Sequence, residues 1–318
     1  MKYDELLTLK NLKTICLISH ISPDADALGS MVTIKSFLKS LFNVEQVDMF
    51  AEAPKIHHSY TKILIGNVLN PTPIESYDAC IVLDCPNSER LGKYKQMFVD
   101  SPIKVVIDHH NTNLYEGQIN IVENVSSTCE IVYRILKSFN YEFTLKDKND
   151  IYSGIITDTN NFSVGNFTKS TFDVVGEIVD DINAKNIYLN HFSNNSLKNM
   201  QMLGVALQNL KAYENNRIII SHISNEEANQ FDATYEDFMG IINRLATITG
   251  SKMICLIQPK NDEYYISLRS SQEYDISPIA TKYGGGGHKC ACAFNSDKAI
   301  EELEKIILQE FKSAIISE

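Results

Sequence analysis

The stretch Val106-Ile107-Asp108-His109-His110-Asn111 decides how the rest of the chain is interpreted. Apolar residues run into an acid and two imidazoles, and the chain then becomes polar. This pattern predicts a buried strand that ends at a ligand-binding crevice, because open α/β sheets bind ligands at the carboxyl ends of their strands. A turn with two surface histidines would explain an isolated Asp-His-His. That alternative is disfavoured because other acidic motifs follow apolar runs elsewhere in the chain.

Length and charge limit the class of protein. The chain has 318 residues, of which 44% are hydrophobic, so it can form two domains with sizeable cores. The formal net charge is −11, which argues against strong binding of long nucleic acid, since that requires Lys and Arg to neutralise phosphates. A small anionic substrate remains compatible with this charge if local cations or bound metals meet it.

Cysteine usage and the N-terminus indicate a compartment. The seven cysteines are scattered and form no CxxC pair, which favours reduced thiols in a reducing environment. The first thirteen residues are polar and carry both signs of charge, unlike a signal peptide. Since no apolar run approaches the roughly 20 residues of a membrane span, we expect a cytoplasmic protein without a membrane partner.

Apolar runs and helical periodicity predict an α/β protein in two parts. The expected strands are 14–19, 46–50, 79–83, 104–107, 217–222, 253–258, 264–268 and 290–294. The expected helices include 28–42, 147–156, 171–181, 225–230, 235–248, 276–283 and one from Asp297. We predict a parallel-sheet domain over residues 1–185, a helical linker over 186–213, and a smaller α/β domain over 214–318.

The acidic motifs occupy the ends of predicted elements. His20, Asp24 and Asp26 lie on a strand-to-helix loop that Pro23 stiffens by fixing its own φ. The two acids are two positions apart, so they can point to opposite sides of a turn, which suits two neighbouring metal ions. Asp84 follows the strand 79–83 in the same way.

Collected together, these side chains predict a metal site. The set comprises His20, Asp24, Asp26, Asp84, Asp108, His109, His110 and Asp158. Several carboxylates in one cleft repel one another unless cations hold them, and mixed imidazole and carboxylate ligands suit Mn²⁺. Two such ions commonly promote hydrolysis of phosphate esters. Unrelated caps and surface acids explain any single motif but explain the ordered set poorly. His57 and His58 lack acidic neighbours, and we expect them to be solvated.

These motifs, together with the Gly284–His288 run, resemble those of the DHH-family phosphoesterases that carry a C-terminal DHHA1 domain. Within that family the chain is most similar to the nanoRNase and 3′-phosphoadenosine 5′-phosphate (pAp) phosphatase group. The resemblance implies two Mn²⁺ ions, with Mg²⁺ or Co²⁺ as substitutes. It assigns His20, Asp24 and Asp84 to one ion. It assigns the other ion to Asp26, Asp84, His109 and Asp158, so that Asp84 is shared.

The resemblance also implies roles in catalysis and substrate binding. Asp108, His110 and His288 would act as catalytic or substrate-facing groups. The substrate-binding set would comprise Arg90, Arg269, Ser270, Gly285, Gly286, Gly287 and His288. Consecutive glycines let backbone N–H groups approach an anion, and Arg269 can bind phosphate bidentately. By this resemblance, the active site would lie in a cleft between the two domains.

Two positions depart from the family pattern. Asn160 stands where the family usually has Gly after Thr-Asp-Thr, and Asn tolerates left-handed backbone better than most residues. Ala291-Cys292-Ala293 stands where the family usually has Ala-Ala-Gly. The second change bears on packing and on preference for the base.

The expected activity is hydrolysis of short oligoribonucleotides to 5′-mononucleotides, with removal of the 3′-phosphate of pAp. A phosphodiesterase for cyclic dinucleotides or for linear dinucleotides such as pApA is an open alternative. A catalytically inactive nucleotide-binding regulator is the alternative from another class, and the intact acid and histidine set disfavours it. Expected partners are short RNA, pAp or dinucleotides, not long nucleic acid. Assembly into a homodimer is left open.

Overall fold

A computed structural model describes residues 2–53, 60–110, 117–193 and 195–316, except for the side chains of His288 and Ile316. The chain divides into two compact units, Met1–Asn194 and Asn195–Glu318. The segment expected as a linker contains most of a helix of the first unit, Ala184–Phe192, with a complete helix, Leu197–Gln208, and a short strand, Lys211–Tyr213, of the second. The predicted domain limits stay a prediction. In the parts of the chain that the structure describes, no helix has both the length and the apolar character of a membrane span.

The first unit alternates strands and helices, as its apolar runs predict. Its strands are β1 (Thr14–Ile18), β2 (Gln46–Phe50), β3 (Ala79–Leu83), β4 (Ile103–Asp108) and β5 (Ile119–Val122). Its α-helices are α1 (Ala25–Ser40), α2 (Lys95–Asp100), α3 (Thr128–Ser138), α4 (Leu145–Asp158), α5 (Lys169–Ile178) and α6 (Ala184–Phe192). Short 3-10 helices cover Asp4–Leu9 and Ser88–Tyr94.

The five strands form one parallel sheet in the order β2-β1-β3-β4-β5, so the prediction of a parallel sheet is confirmed. All residues of β3 are buried, as expected for a parallel strand covered on both faces. Ile18 pairs with Val82, and Leu83 pairs with Ile107. This register brings the residues that follow β1 and β3, and the end of β4, to the same edge of the sheet. The edge strand β5 was not predicted.

The second unit is a smaller α/β body with a mixed sheet. Its strands are β6 (Lys211–Tyr213), β7 (Ile218–His222), β8 (Met253–Lys260), β9 (Glu263–Ser270), β10 (Gly286–His288) and β11 (Ala291–Ser296). Its α-helices are α7 (Leu197–Gln208), α8 (Asn225–Gln230), α9 (Ile241–Leu245), α10 (Ser277–Lys282) and α11 (Ile300–Ile316). The strand order is β10-β11-β9-β8-β7-β6, in which β7 and β8 are parallel and the other pairs antiparallel.

One local prediction in this unit is wrong, and a glycine explains it. The helix expected over 235–248 is divided into a 3-10 turn, Tyr235–Phe238, and the short helix α9. Gly240 separates them with a φ of 79°, a left-handed conformation that ends a helix. The glycine run contributes the edge strand β10, which pairs with β11.

Candidate active site

The sheet edge of the first unit gathers the predicted metal ligands. Ligand atoms of His20, Asp24 and Asp84 lie within 4.8 Å of one another, as do those of Asp26, His109 and Asp158. Ligand atoms of Asp84, His109 and His110 form a third such group. The structure therefore brings together all six side chains that the resemblance assigns to the metals. Because Asp84 lies 3.6 Å from His20 and 3.5 Å from His109, it can contribute to both groups.

Backbone carbonyls orient two of the histidines. Nδ1 of His20 lies 2.9 Å from the carbonyl oxygen of Ile21, and Nδ1 of His109 lies 3.3 Å from that of Val125. A proton on each Nδ1 satisfies the carbonyl and leaves the lone pair on Nε2. In both residues Nε2 faces carboxylates of the cluster, which is the arrangement of metal-ligating histidines.

The buried Nε2 atom of His109 tests whether the residues fit a metal ion. It lies 3.3 Å from an oxygen of Asp158 and 3.5 Å from one of Asp84, yet it has no hydrogen-bond partner among the described residues. Leaving a buried polar atom unpaired is costly. A divalent cation that accepts this lone pair would remove the cost, so the donor set fits a metal centre.

Helix N-termini hold two of the carboxylates. Asp24 caps α1, and its Oδ1 accepts hydrogen bonds of 3.0 Å from the backbone N–H groups of Asp26 and Ala27. Asp26 is fully buried and accepts the backbone N–H groups of Thr128 and Cys129, the first two residues of α3. Helix N-termini favour negative charge, so both carboxylates are fixed in place by local structure.

The contribution of Thr128 to the site is not evident from the sequence. The motif Ser126-Ser127-Thr128 predicts only a helix cap, and Ser127 does cap α3. In addition, the hydroxyl of Thr128 donates a 3.2 Å hydrogen bond to Oδ1 of Asp84. Thr128 thus contacts both Asp26 and Asp84. No short-range signal identifies such a residue, because its partners come from other strands and helices.

Without cations, the carboxylates disfavour one another's charge. Burial and the negative charges of Asp26, Asp84 and Asp24 raise the pKa of Asp158 to about 9. Burial and the charge of Asp84 raise the pKa of Asp26 to about 7, and they also raise the pKa of Asp24. This is the behaviour expected where bound cations normally replace protons.

The neighbouring carboxylates favour the charged form of the histidines. Burial works against the charged form of His20, but the hydrogen bond to Asp84 and the charges of Asp84 and Asp24 outweigh it, raising its pKa to about 9. The pKa values of His109 and His110 are raised for similar reasons, against the effect of burial. The same partners lower the pKa of Asp84, although burial alone would raise it.

Asp108 and His110 form a dyad beside this cluster. Asp108 is fully buried at the end of β4, and its Oδ1 accepts the backbone N–H of His109 at 2.9 Å. The same oxygen lies 2.8 Å from Nδ1 of His110, whose side chain is 37% exposed. With its proton on Nδ1, His110 is oriented by a buried carboxylate and has Nε2 free for chemistry.

Two glycines allow α1 and α4 to approach closely at this site. A Cβ atom on Gly29 would lie 2.8 Å from the carbonyl oxygen of Asp150. A Cβ atom on Gly154 would lie 2.4 Å from Sγ of Cys129 and 2.7 Å from Oδ1 of Asp26. Gly154 therefore provides the space that the Asp26 carboxylate occupies.

Asp158 is the last residue of α4, and the turn after it is left-handed. Asn160, Asn161 and Phe162 have φ values of 44°, 55° and 61°. Asn adopts this region more readily than most residues. The left-handed turn that glycine usually serves in the family thus persists with Asn160.

Arg90 lies next to the first group of ligands. Its Nη2 atom is 3.2 Å from Nδ1 of His20 and 3.5 Å from the carbonyl oxygen of Ile21. Its Nε atom is buried and has no hydrogen-bond partner in the described part of the chain. The position is suitable for a cation that binds a phosphate. The predicted solvated residues His57 and His58 lie outside the described residues.

The second unit contains a pocket of about 450 Å³ around Arg269. Arg269 donates to Oδ1 of Asn243 and to the carbonyl oxygen of Leu268, both neutral oxygens. Burial lowers its pKa below the ordinary value for arginine. An arginine that is half-buried and bonded only to neutral groups is a suitable binder of phosphate.

The other predicted substrate residues are distributed differently. Gly286 and Gly287 line the pocket, whereas a Cβ atom on Gly285 would collide with the backbone of Ala293 and Phe294. Gly285 therefore serves strand packing. Ser270 is absent from the pocket lining, and its hydroxyl donates to the carbonyl oxygen of Tyr274, because successive residues of a strand face opposite sides. The side chain of His288 lies outside the described residues.

Comparison with known proteins agrees with this geometry. A bifunctional oligoribonuclease and PAP phosphatase, NrnA of Bacillus subtilis, is 25% identical over 96% of this chain and 98% of its own length. The NrnA protein of Thermus thermophilus is 22% identical over 94% of this chain and 91% of its own length.

A solved structure has the same fold. The exopolyphosphatase-related protein of Bacteroides fragilis superimposes with a TM-score of 0.80 at 24% identity, over 98% of this chain and 95% of that protein.

The family assignment rests on two matched regions. Residues 14–180 match the DHH family N-terminal domain, and residues 215–316 match the DHHA1 domain. The first match covers more than half of the chain. This chain therefore belongs to the DHH family and is a hydrolase that acts on phosphate esters.

Proposed function

We propose that the protein hydrolyses short oligoribonucleotides to 5′-mononucleotides and removes the 3′-phosphate of pAp, using two Mn²⁺ ions. The observation that carries the proposal is the pair of ligand groups that meet at Asp84. The similarity to NrnA proteins over nearly the whole chain supports the choice of substrates. The cytoplasmic location expected from the sequence remains a prediction.

The residues assigned to the metals divide into two sets that share one carboxylate. His20, Asp24 and Asp84 would hold the first ion. Asp26, Asp84, His109 and Asp158 would hold the second. Imidazole and carboxylate donors together suit Mn²⁺, with Mg²⁺ and Co²⁺ as substitutes. When bound, divalent ions at this site would activate a water nucleophile and neutralise charge that develops on the phosphate.

The dyad of Asp108 and His110 is proposed to supply a proton to the leaving oxygen. Hydrolysis forms a bond between a water oxygen and phosphorus and breaks the bond to the leaving oxygen. That leaving oxygen needs a proton. Asp108 accepts Nδ1–H of His110 and so stabilises the charged imidazole, whose Nε2–H can protonate the leaving oxygen.

Arg90 and Arg269 are proposed to bind phosphate groups of the substrate. Arg90 lies beside His20 and would bind the phosphate that is attacked. Arg269, with the backbone of Gly286 and Gly287, would bind a second phosphate of the substrate. His288 is proposed to assist there. The net charge of −11 offers longer RNA no cationic track, which favours very short substrates.

A substrate panel tests the proposal directly. Initial rates would be measured with Mn²⁺ for a five-nucleotide RNA, a dinucleotide, pAp, cyclic di-AMP and long single-stranded RNA. The proposal expects turnover of the first three and little turnover of the last. If cyclic di-AMP were the preferred substrate, the protein would instead be a cyclic-dinucleotide phosphodiesterase. If Mn²⁺ produced no turnover of any substrate, the inactive regulator would be the correct interpretation.

The Arg269→Ala variant tests separately whether Arg269 binds a phosphate of the substrate. We expect KM for a dinucleotide to rise about tenfold or more, because a charged hydrogen bond to phosphate is lost. The effect on bis(p-nitrophenyl) phosphate should be much smaller, and the metal content should be unchanged. Arg217→Ala removes an equal charge from a residue that donates to Tyr274 and serves as the control. Equal losses on both substrates, or missing metal, would contradict this role of Arg269.

A further inference from the structure

Glu130, in the first turn of α3, is a buried carboxylate outside the proposed metal and substrate sites. It is 0% exposed, and a buried charge is stable only when it is paired and hydrogen-bonded. Its Oε1 atom forms an ion pair with Arg134, one helical turn later. Its Oε2 atom accepts the hydroxyl groups of Ser126 and Thr171 and, at 3.3 Å, the backbone N–H of Ser126. All of these partners donate, so the position requires two acceptor oxygens.

The side chain of Glu130 departs from the usual capping arrangement. A glutamate three residues after a serine cap commonly reaches back to the backbone N–H of that cap. Ser127 is the cap of α3, but Glu130 accepts from Ser126, the residue before the cap. Both donor groups of Ser126, its N–H and its O–H, are therefore held by one carboxylate. This contact fixes the backbone immediately before α3.

The segment on either side of this serine holds two ligands of the proposed second metal ion. The carbonyl oxygen of Val125 lies 3.3 Å from Nδ1 of His109. The backbone N–H groups of Thr128 and Cys129 donate to Asp26 at 2.7 Å and 2.8 Å. A shift of this segment would therefore change the orientation of both ligands.

The proposed first metal ion depends less on this segment. His20 is oriented by the carbonyl oxygen of Ile21, and Asp24 accepts hydrogen bonds at the N-terminus of α1. Asp84, which both ions would share, accepts the hydroxyl of Thr128. Two of the three ligands of the first ion are thus oriented by other parts of the chain.

We propose that Glu130 is a positioning residue for the second metal ion. Through Ser126 it fixes the backbone that orients His109 and Asp26, and it acts without being a ligand itself. The inference rests on the two-ion site of the proposed function. Loss of a group that orients a metal ligand typically lowers metal affinity or activity about 10- to 100-fold. Because Glu130 acts through a further residue, we expect the lower end of that range.

Glu130→Gln tests this role, because glutamine keeps the shape of the side chain but replaces one acceptor oxygen with a donor. Titration of the full-length protein with Mn²⁺ should show one ion bound about tenfold more weakly and the other changed clearly less. Glu177→Gln is the matched control, since Glu177 is an exposed partner of Lys137, and it should leave both affinities unchanged. Urea unfolding of the metal-free proteins measures their stability separately.

Two single-ion backgrounds identify the ion that is affected. Asp24→Asn removes a ligand of the first ion, and Asp158→Asn removes a ligand of the second. Glu130→Gln should weaken binding of the remaining ion about tenfold in the Asp24→Asn protein and clearly less in the Asp158→Asn protein. A purely structural role would weaken both equally or weaken neither.

Ser126→Ala decides the question if Glu130→Gln does not fold. It removes only the hydroxyl contact to Glu130 and should show the same selective loss at a smaller amplitude. Unchanged affinity for both ions, or equal weakening in the two backgrounds, would overturn the inference and leave the proposed function standing. Fewer than two Mn²⁺ ions bound by the wild type would refute the proposed function and the inference with it.

Discussion

The backbone N–H of Thr128 donates a 2.7 Å hydrogen bond to Oδ2 of Asp26, although the two residues are 102 positions apart. The hydroxyl of the same threonine donates to Oδ1 of Asp84. One residue at the start of α3 thereby orients Asp26, which is proposed to bind one metal ion, and Asp84, which is proposed to bind both. Mutation of a group that orients a metal ligand in this way typically lowers metal affinity or activity by about 10- to 100-fold.

Replacement of Thr128 should distinguish the contribution of its hydroxyl from that of its backbone N–H. Thr128→Val keeps the shape and the N–H bond to Asp26 but removes the O–H donor to Asp84. We expect Mn²⁺ affinity or hydrolysis to fall about tenfold, the lower end for lost support of a metal ligand. Thr128→Ser keeps the hydroxyl and should remain close to wild type. Metal titration and initial rates on both variants are the measurement, and equal behaviour of the two variants would contradict this role.

Gly154 should be intolerant of even one methyl group. In Gly154→Ala the new Cβ atom meets Sγ of Cys129 and Oδ1 of Asp26, so the site must shift. Such overpacking typically costs about 1–3 kcal/mol of folding free energy, and we expect activity to fall with it. Urea unfolding and initial rates measure both effects.

Gly176→Ala is the matched control for Gly154→Ala. Gly176 lies on the exposed side of α5, and nothing is within 4 Å of an added Cβ atom. Alanine there should stabilise the helix by about 0.5–1 kcal/mol. If Gly154→Ala were as harmless as Gly176→Ala, the close approach of α4 to Asp26 would not hold in solution.

Asp150 should make the unfolding free energy depend on pH. Burial raises its pKa to about 7, even though Lys146 donates a 2.7 Å hydrogen bond to it. In the unfolded chain an aspartate ionises near pH 4, roughly the value for model peptides. Between these values the folded state holds a proton that the unfolded state has lost, so the unfolding free energy falls as pH rises.

Asp150→Asn removes this titration. As pH rises from about 4 to about 8, the unfolding free energy of the variant should increase relative to that of the wild type, because only the wild type loses this contribution. Lys146 keeps its hydrogen bond to the carbonyl oxygen of Ile63 in the variant. Urea unfolding of both proteins across this range is the measurement. A stability difference that does not change with pH would show that Asp150 is not held protonated by its surroundings.

Strand ends could be predicted well from the sequence because apolar runs define them. Parallel strands place their carboxyl ends at one edge, so Asp84 and Asp108 were correctly expected near one another. Asp158 ends a helix and not a strand, so the strand argument does not place it, and the resemblance to the family assigned it to the site. Sequence could not reveal Thr128, because a capping signature is local and its bonds to Asp26 and Asp84 depend on tertiary packing.

The second unit was harder to predict at the level of side chains. Gln258 looked like one polar residue at the end of an apolar strand, and only the pairing with Tyr265 places it in the pocket. The glycine run predicts close approach of its backbone to an anion, whereas Gly285 and Gly287 pack against β11. A sequence pattern shows that glycine is present and does not show which backbone it must approach.

The most direct test of the metal centre is Asp84→Asn, assayed for metal content and for hydrolysis of a dinucleotide on the same sample. Asn keeps the shape of the side chain but removes the charge that two ligand groups share. Asp173→Asn, on the exposed face of α5, is the control. We expect loss of bound Mn²⁺ from both positions and at least about a hundredfold loss of rate. An Asp84→Asn protein that retained two Mn²⁺ ions and half of the wild-type rate would contradict it.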